Sequence, residues 1–389
     1  MTGAETALPA HPALPATATL VVGGGIVGMS LAGFLAAAGA EVAVIDDGKV
    51  GGTTANAGSL HVQMQSRFMR LYPDLVPGLE STLHLYPKAV AFWRAFEQEL
   101  DADFDLRITG GLMVAESREQ LDFLAMKCRR ERELGLESEM LDRAQLDAIS
   151  PGLGPAIFGA ELCADEGKLN PLLANQAIRR WATANGVVRI AGESVASLAR
   201  RDRVIAARTA RGTIAAERVV LAAGAGSRAL AADLGTLVPA EPEPLHMNIT
   251  EATAPLLHHL VQHAERPITL KQLGTGQVVI GGGWPARLAG EGRWPTVELA
   301  SIVGNATLAQ HIVPSLGDLR IIRCWAGINT TVDGRAVLGP CSAAPGLFIA
   351  IPGDAGYTLG PLCARLVADA MLGRRPAVDL APYSPDRFK

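Results

Sequence analysis

The chain has 389 residues, 49% hydrophobic and only 19% charged, with 42 glycines and a net charge of −4. Those values suit a large, well-buried α/β protein of two or three domains and exclude a disordered or coiled-coil chain. No basic block rises above "RRERE" (129–133), which reads as a solvated helix face, so nucleic acid is not an expected partner.

Five cysteines occur: Cys128, Cys163, Cys324, Cys341 and Cys363. The count is odd and none is spaced C-x-x-C. That argues against a disulfide scaffold or an iron–sulfur site within the chain and for reduced thiols in the cytoplasm. Residues 1–16 are Ala/Pro-rich without a basic start and read as a flexible tail, not a signal peptide. Residues 17–40 carry no charge, but three glycines (23–25) follow only a short β-type run. Strand–turn–helix explains this better than a membrane span.

In chain order, "TATLVV" (17–22) is a buried strand and "GGGIVGMSLAGFLAAAG" a turn and helix with small residues at helical spacing. "EVAVIDD" (41–47) is a second buried strand. This βαβ unit carries G-x-G-x-x-G as Gly23, Gly25 and Gly28. The first glycine permits the tight turn, the second admits a pyrophosphate, and the third lets helix and strand pack closely. Asp46 ends the second strand, where an acid accepts from ribose hydroxyls; Asp47 beside it could do the same. Dinucleotide binding follows.

"GGTTANAGSL" (51–60) is a small-residue loop. Residues 87–150 mix helical segments such as "PKAVAFWRAFEQEL" with the strand "GLMVAES" (111–117). "LNPLLANQAIRRWATANG" (169–186) is a helix closed by Gly186. Short strands fill 186–230 and end in "RVVLAAGAGS". His258, His259 and His263 read as the solvated face of one helical segment, so no metal site is expected. "PITLKQLGTGQVVIGGGWP" (267–285) is hairpin-like. "RCWAGINTTVDGRAVLGP" (323–340) and "GLFIAI" (346–351) lead to "IPGDAGYTLGP" (351–361), a glycine-rich turn that opens a helix. Such a turn aims backbone N–H groups and a positive dipole end at something electron-rich.

Five stretches in order, "VVGGGIVGMSLAGFLAAAGAEVAVID", "TTANAGSL", "RVVLAAGAGS", "WAGINTTVDGRAVLG" and "IPGDAGYTLGP", resemble the FAD-dependent amine and D-amino-acid oxidoreductases of the glycine oxidase and sarcosine oxidase type. "NAGSLHVQMQSR", "LKQLGTGQVVIGGGWP" and "GYTLGP" look most like the β subunits of opine and D-hydroxyproline dehydrogenases. The resemblance implies an α/β fold: a Rossmann-type, glutathione-reductase-like FAD domain from 17–86, 156–241 and 325–389. A mixed-sheet substrate domain from 87–155 and 242–324 is inserted into it.

It also implies noncovalent FAD, since neither Cys324 nor Cys341 matches the position of a flavin-linked cysteine. The FAD contacts would be Gly23, Gly25, Ile26, Val27, Gly28, Asp46 or Asp47, Thr53, Thr54, Asn56, Ala57, Gly58, Ser59, Leu60, Val195, Ala223, Gly224, Gly353 and Asp354. The last helix would begin beneath the flavin, with Gly356, Tyr357, Thr358 and Leu359 at its pyrimidine edge.

The implied activity is oxidation of the C–N bond of a secondary amine or D-amino acid, such as an opine or D-hydroxyproline, by hydride transfer to flavin N5. The chain would be the catalytic β subunit beside a larger α subunit and an iron–sulfur subunit. FMN at the subunit contact would be held by Lys168 and Asn170; Asn170 stands where a relative carries its FMN-linked histidine. The rivals are a stand-alone oxidase using oxygen and a flavin-binding subunit without turnover.

A carboxylate substrate wants a cation. The family often has an arginine after "WAG-φ", and Asn329 stands there. Arg323 and Lys271 are the alternative cations. His61, Gln63, Gln65 and Arg67 alternate and would share one face of a strand over the flavin, with His61 near the ring. His246 and Tyr357 complete the candidates for the catalytic pocket.

Overall fold

The computed structural model describes residues 16–290 and 294–388, so the expected N-terminal tail, Ala16 apart, lies outside the described residues. Two eight-stranded sheets organise what is described.

The first sheet is mostly parallel. Its strands run in the order Val337–Pro340, Leu347–Ile351, Gly212–Leu221, Thr17–Val22, Val42–Asp46 and Val188–Ala191. Only Val337–Pro340 on that path is antiparallel. Val195–Arg201 and Val204–Thr209 add an antiparallel flap beside the start of Gly212–Leu221. Leu20, Val21, Val44 and Ile45 are buried from both sides, as the continuous apolar runs of a covered parallel sheet require.

The helix Ile26–Ala37 packs against Pro171–Ala184 and the C-terminal helix Gly356–Met371. The helix Leu85–Glu99 joins them: Trp93 stacks on Tyr357 at 5.6 Å, and Phe96 lies 5.2 Å from Phe34. This helix, expected in the substrate segment, therefore builds the core of the first sheet.

The second sheet runs Ile321–Thr331, Glu241–Ala252, Gln277–Gly281, Thr269–Gln272, Leu260–His263, Gly111–Ala115, Gly159–Cys163, Ser138–Asp142. All its pairs are antiparallel except Leu260–His263 with Gly111–Ala115. Gly159–Cys163 and residues 325–331 thus belong to this sheet, across the boundaries expected at 156 and 325. One face, with Leu112, Val261, Leu270 and Ile280, shares a core with Leu308, Ala309 and Ile312 of the helix Leu299–Ile312. The opposite face turns toward the 51–64 loop.

Three local expectations are corrected. The histidine segment is not a solvated helix: Leu260–His263 is an interior strand, with His259 and His263 buried. Burial pushes both imidazoles down to about 4. The "RRERE" face is not uniformly solvated, because Glu131 is fully buried against Lys127. The alternation from His61 to Arg67 is not a strand. Pairing stops at Ser59–Leu60 and a helix starts at Ser66, leaving Gln65 and Arg67 exposed.

Candidate flavin and substrate site

The dinucleotide end is built from the first βαβ unit. Gly23 N donates to Ile45 O at 2.9 Å. Strand and helix approach so closely that a Cβ on Gly28 would lie 1.9 Å from Gly23 O. The Asp46 carboxylate accepts from Gly24 N at 2.6 Å and Gly48 N at 2.9 Å, which holds it at the helix entrance. Asp47 turns away to Lys49 and Ser194. Partial burial pushes its carboxyl up, but Lys49 and Ser194 outweigh that and hold it below its usual range. The helix at Ile26 has no side-chain cap on Gly25 and no acid in its first turn, as an anion site requires.

The 51–60 loop closes over this entrance. Thr53 Oγ1 accepts from Ile26 N at 2.9 Å, while Thr54 bonds only within its own exposed turn. Asn56 Oδ1 accepts from Gly58 N at 2.7 Å, and Ala57 between them is half-buried. Gly58 has φ +79°, and a Cβ there would strike Leu169 O at 2.3 Å. Ser59 and Leu60 are buried and pair with Lys168 and Gly167. On the far side, Ala223 N donates to Ser227 Oγ and Gly224 packs beside Thr330. Val195 follows Ser194, the residue that reaches Asp47.

The C-terminal turn, with Gly353 at φ +80°, runs through Asp354 into a helix at Gly356 that has neither a side-chain cap nor a first-turn acid. Thr358 Oγ1 accepts from His61 N at 3.1 Å, tying the helix start to the 58–64 loop. Leu359 is buried. Tyr357 is not a pocket group. Its hydroxyl donates to Pro171 O and Asn175 Oδ1, and burial drives its pKa far up. It is a core strut, which corrects the catalytic expectation.

Between these walls lies the inner face of the second sheet. Trp325 Nε1 donates to Ala55 O at 2.8 Å and locks the sheet onto the loop. Lys271, fully buried, has no hydrogen-bond partner for its Nζ, which would lie 3.0 Å from a Cβ on Gly58. Burial, then the charge of Lys168, holds the Lys271 amine well below its ordinary pKa. The His61 imidazole has a side-chain exposure of 29%, and its Nδ1 stands 3.9 Å from Glu166 Oε1. Burial and Lys271 push it down to about 4.

Other candidates stand elsewhere. His246 pairs with Ala326 on the opposite face of the sheet, and its Nε2 lies 2.8 Å from Asn248 Oδ1, so it is not in the pocket. Cys324 pairs with Asn248 on that same outer face. Asn329 Nδ2 donates to Glu243 Oε2 at 3.0 Å, so an amide–carboxylate contact replaces the family's arginine. Arg323 is exposed on the inner face, its guanidinium 5.7 Å over Trp325. Lys168 and Asn170 do not form the expected FMN site. Lys168 Nζ donates to Leu257 O and His258 O, and Asn170 caps the helix at Pro171.

One group escaped the sequence reading. Glu166 is completely buried and accepts from Val62 N, Gln63 N, Gln63 Nε2 and Gln262 Nε2 at 2.7–3.1 Å. Burial still raises its pKa to about 7. Gln63 Oε1 also accepts from Lys127, which bridges Glu131 and Glu161. A lone acid in "ADEGKLN" gives no periodic signal that could have marked it.

Among the described residues no three His, Cys, Asp or Glu side chains are placed to hold a metal ion, and no helix is long and apolar enough to cross a membrane. FAD fits what is present: a glycine-tight turn, the Asp46 carboxylate at the entrance, and two uncapped helix starts for its charged ends.

Known proteins agree with this geometry. The chain is 28% identical to the glycine oxidase of Pseudomonas aeruginosa over 376 residues, covering 94% of this chain and 98% of that one. It is 26% identical to an opine oxidase subunit of Rhizobium meliloti over 383 residues, covering 95% and 96%. The crystal structure of glycine oxidase from Geobacillus kaustophilus superimposes with a TM-score of 0.82 at 25% identity, covering 95% and 98%. The FAD dependent oxidoreductase (DAO) family matches residues 18–370, and the chain belongs to it.

Proposed function

We propose that this FAD-dependent oxidoreductase oxidises the C–N bond of a secondary amine or D-amino acid of opine or D-hydroxyproline type, with the hydride passing from substrate carbon to flavin N5. The observation that carries the reading is Lys271: a fully buried, unpartnered amine on the sheet face that covers Gly58. Bound FAD supplies the two-electron acceptor. Lys271 takes a substrate carboxylate, gaining a proton as it does. His61, neutral above about pH 4, is the base placed to accept the proton of the substrate ammonium. Trp325, Met247 and Val279 line the same face and keep water from the reacting carbon.

The opine oxidase relative, itself named as one part of a larger enzyme, supports a place beside a larger α subunit and an iron–sulfur subunit that carry electrons onward. FAD is noncovalent, in keeping with Cys324 on the outer face of the sheet. No disulfide joins the five cysteines, which accords with a cytoplasmic setting. The glycine oxidases among the relatives favour a second reading, a stand-alone oxidase reducing oxygen. Anaerobic bleaching of the flavin by a panel of secondary amines and D-amino acids tests the first reading; a flavin that no amine bleaches refutes it. Fast hydrogen peroxide release by the isolated chain selects the second.

A further inference from the structure

The registers of the second sheet set four inner-face residues side by side. Lys271 pairs with Val279, Val279 with Ile249, and Ile249 with Arg323. Directly paired residues present their side chains to one face. Three strand spacings of about 4.8 Å separate the outer pair, so their Cα atoms stand about 14 Å apart. The row therefore reads cation, aliphatic, aliphatic, cation. Neither cation is matched by protein: Lys271 Nζ has no partner, and no described carboxylate pairs with Arg323.

A buried amine without an acceptor is rare, because burial without a hydrogen bond is costly. Around Lys271 the titratable neighbours are Lys168 and His61, and neither supplies a negative charge. The Lys168 ammonium already serves two backbone carbonyls. The place beside Lys271 is thus shaped for an anion that the chain does not provide. Arg323 differs: it sits at the exposed rim, stacked only on Trp325, and is free to swing onto a second anion.

We propose that the substrate carries two carboxylates, one bound by Lys271 and one by Arg323, with the reacting C–N bond lying over Val279 and Ile249. This rests on the amine-oxidation reading above and narrows it. An amine nitrogen flanked by two acid-bearing arms, an N-(carboxyalkyl) amino acid, fills the row; a cyclic amine with one carboxylate leaves Arg323 unused. The loss of arginine at Asn329 follows the same logic. The second cation has moved three same-face positions along its strand, from the loop side of the pocket to the rim. Binding also draws a proton onto Lys271, since its amine is held neutral when no anion is present.

The test titrates the FAD-loaded protein with glutarate and adipate, and with the matched monocarboxylates pentanoate and hexanoate, following the flavin absorbance. The dicarboxylates should bind about tenfold or more tighter than their partners. Arg323→Gln should bring that ratio to within about twofold, and Lys271→Met should weaken all four acids. Dicarboxylate binding should take up a proton in lightly buffered solution, and Lys271→Met should abolish the uptake. Equal affinity for both acid types, or a ratio that survives Arg323→Gln, overturns the proposal. Should Lys271→Met lose its flavin, the exposed Arg323→Gln carries the test alone. The amine-bleaching panel is scored separately. Bleaching by amines without a dicarboxylate preference refutes only this inference, and the preference without bleaching refutes only the reading beneath it.

Discussion

Lys127 and Lys271 are both completely buried, yet their surroundings are opposite. Lys127 Nζ lies 2.8 Å from Glu131 and 2.8 Å from Glu161, and it donates to Gln63. Burial pulls its pKa down, but the two carboxylates more than reverse this and raise it. Lys271 has the same burial with no carboxylate, and its pKa falls. Burial alone therefore does not say what a lysine is for. Lys127 belongs to a closed cluster whose charges are matched within the protein, whereas Lys271 is completed only by something that enters.

The sharpest way to break that comparison is to remove each amine. Lys127→Met leaves Glu131 buried beside Glu161 without its cation. Losing one partner of a buried pair costs about 3–5 kcal/mol, and the urea midpoint should drop accordingly. Lys271→Met removes an amine that bonds nothing and should leave the midpoint unchanged or higher. Equal losses for the two variants would erase the distinction. In function the order reverses: Lys271→Met should lower kcat/KM about tenfold to a hundredfold, the size of a lost charge-assisted hydrogen bond. Lys127→Met, where it folds, should lower it far less.

The sequence made the first sheet readable because its signals are local. The turn glycines, the apolar runs of parallel strands and the acid at Asp46 all lie within thirty residues. The second sheet is assembled by register, and there local reading failed by parity. His246 and Met247 are neighbours, but one residue of shift exchanges the faces of a strand, so His246 points to the helix side and Met247 to the pocket. Lys271 could be read as pocket-lining, yet its alignment with Arg323 exists only across four strands. Glu166 was illegible because Gln63 and Gln262, its side-chain donors, lie 103 and 96 residues away. Trp93 and Tyr357, which join a mid-chain helix to the last one, are likewise a purely spatial pair.

Asp46 and Asp47 offer a smaller contrast of the same kind. Asp46 holds the helix entrance through Gly24 and Gly48, while Asp47 is occupied by Lys49. Asp46→Ala should weaken FAD retention by about 1.5–3 kcal/mol, with the apoprotein still folded. Asp47→Ala should change flavin occupancy after dialysis little. The reverse order would move the ribose contact to Asp47. Tyr357→Phe should cost about 1 kcal/mol of stability for its lost hydrogen bonds and leave the rate of flavin reduction by substrate unchanged. A slowed reduction would return Tyr357 to the chemistry.

The smallest effect is expected from His61 and Glu166, whose opposite shifts mask each other in the wild-type chain. His61 is pushed down to about 4 from 6.5, so the unfolded chain binds its proton first as pH falls. Its contribution is intact above 6.5 and is lost as pH drops through 4. Glu166 is raised to about 7 from 4.5, so the folded chain binds that proton first. Its contribution is present below 4.5 and is lost as pH rises through 7. Between pH 4.5 and 6.5 the two slopes oppose, and this pair adds little net pH dependence. Each single variant should uncover the other partner. His61→Gln should gain stability as pH falls across that window, relative to wild type, and Glu166→Gln should lose it. Urea midpoints measured at half-unit steps read this directly as a gap between the two variants that widens toward low pH. Parallel midpoint curves would show that His61 and Glu166 do not titrate as placed, and the reading of His61 as a neutral base beside the flavin would fall with them.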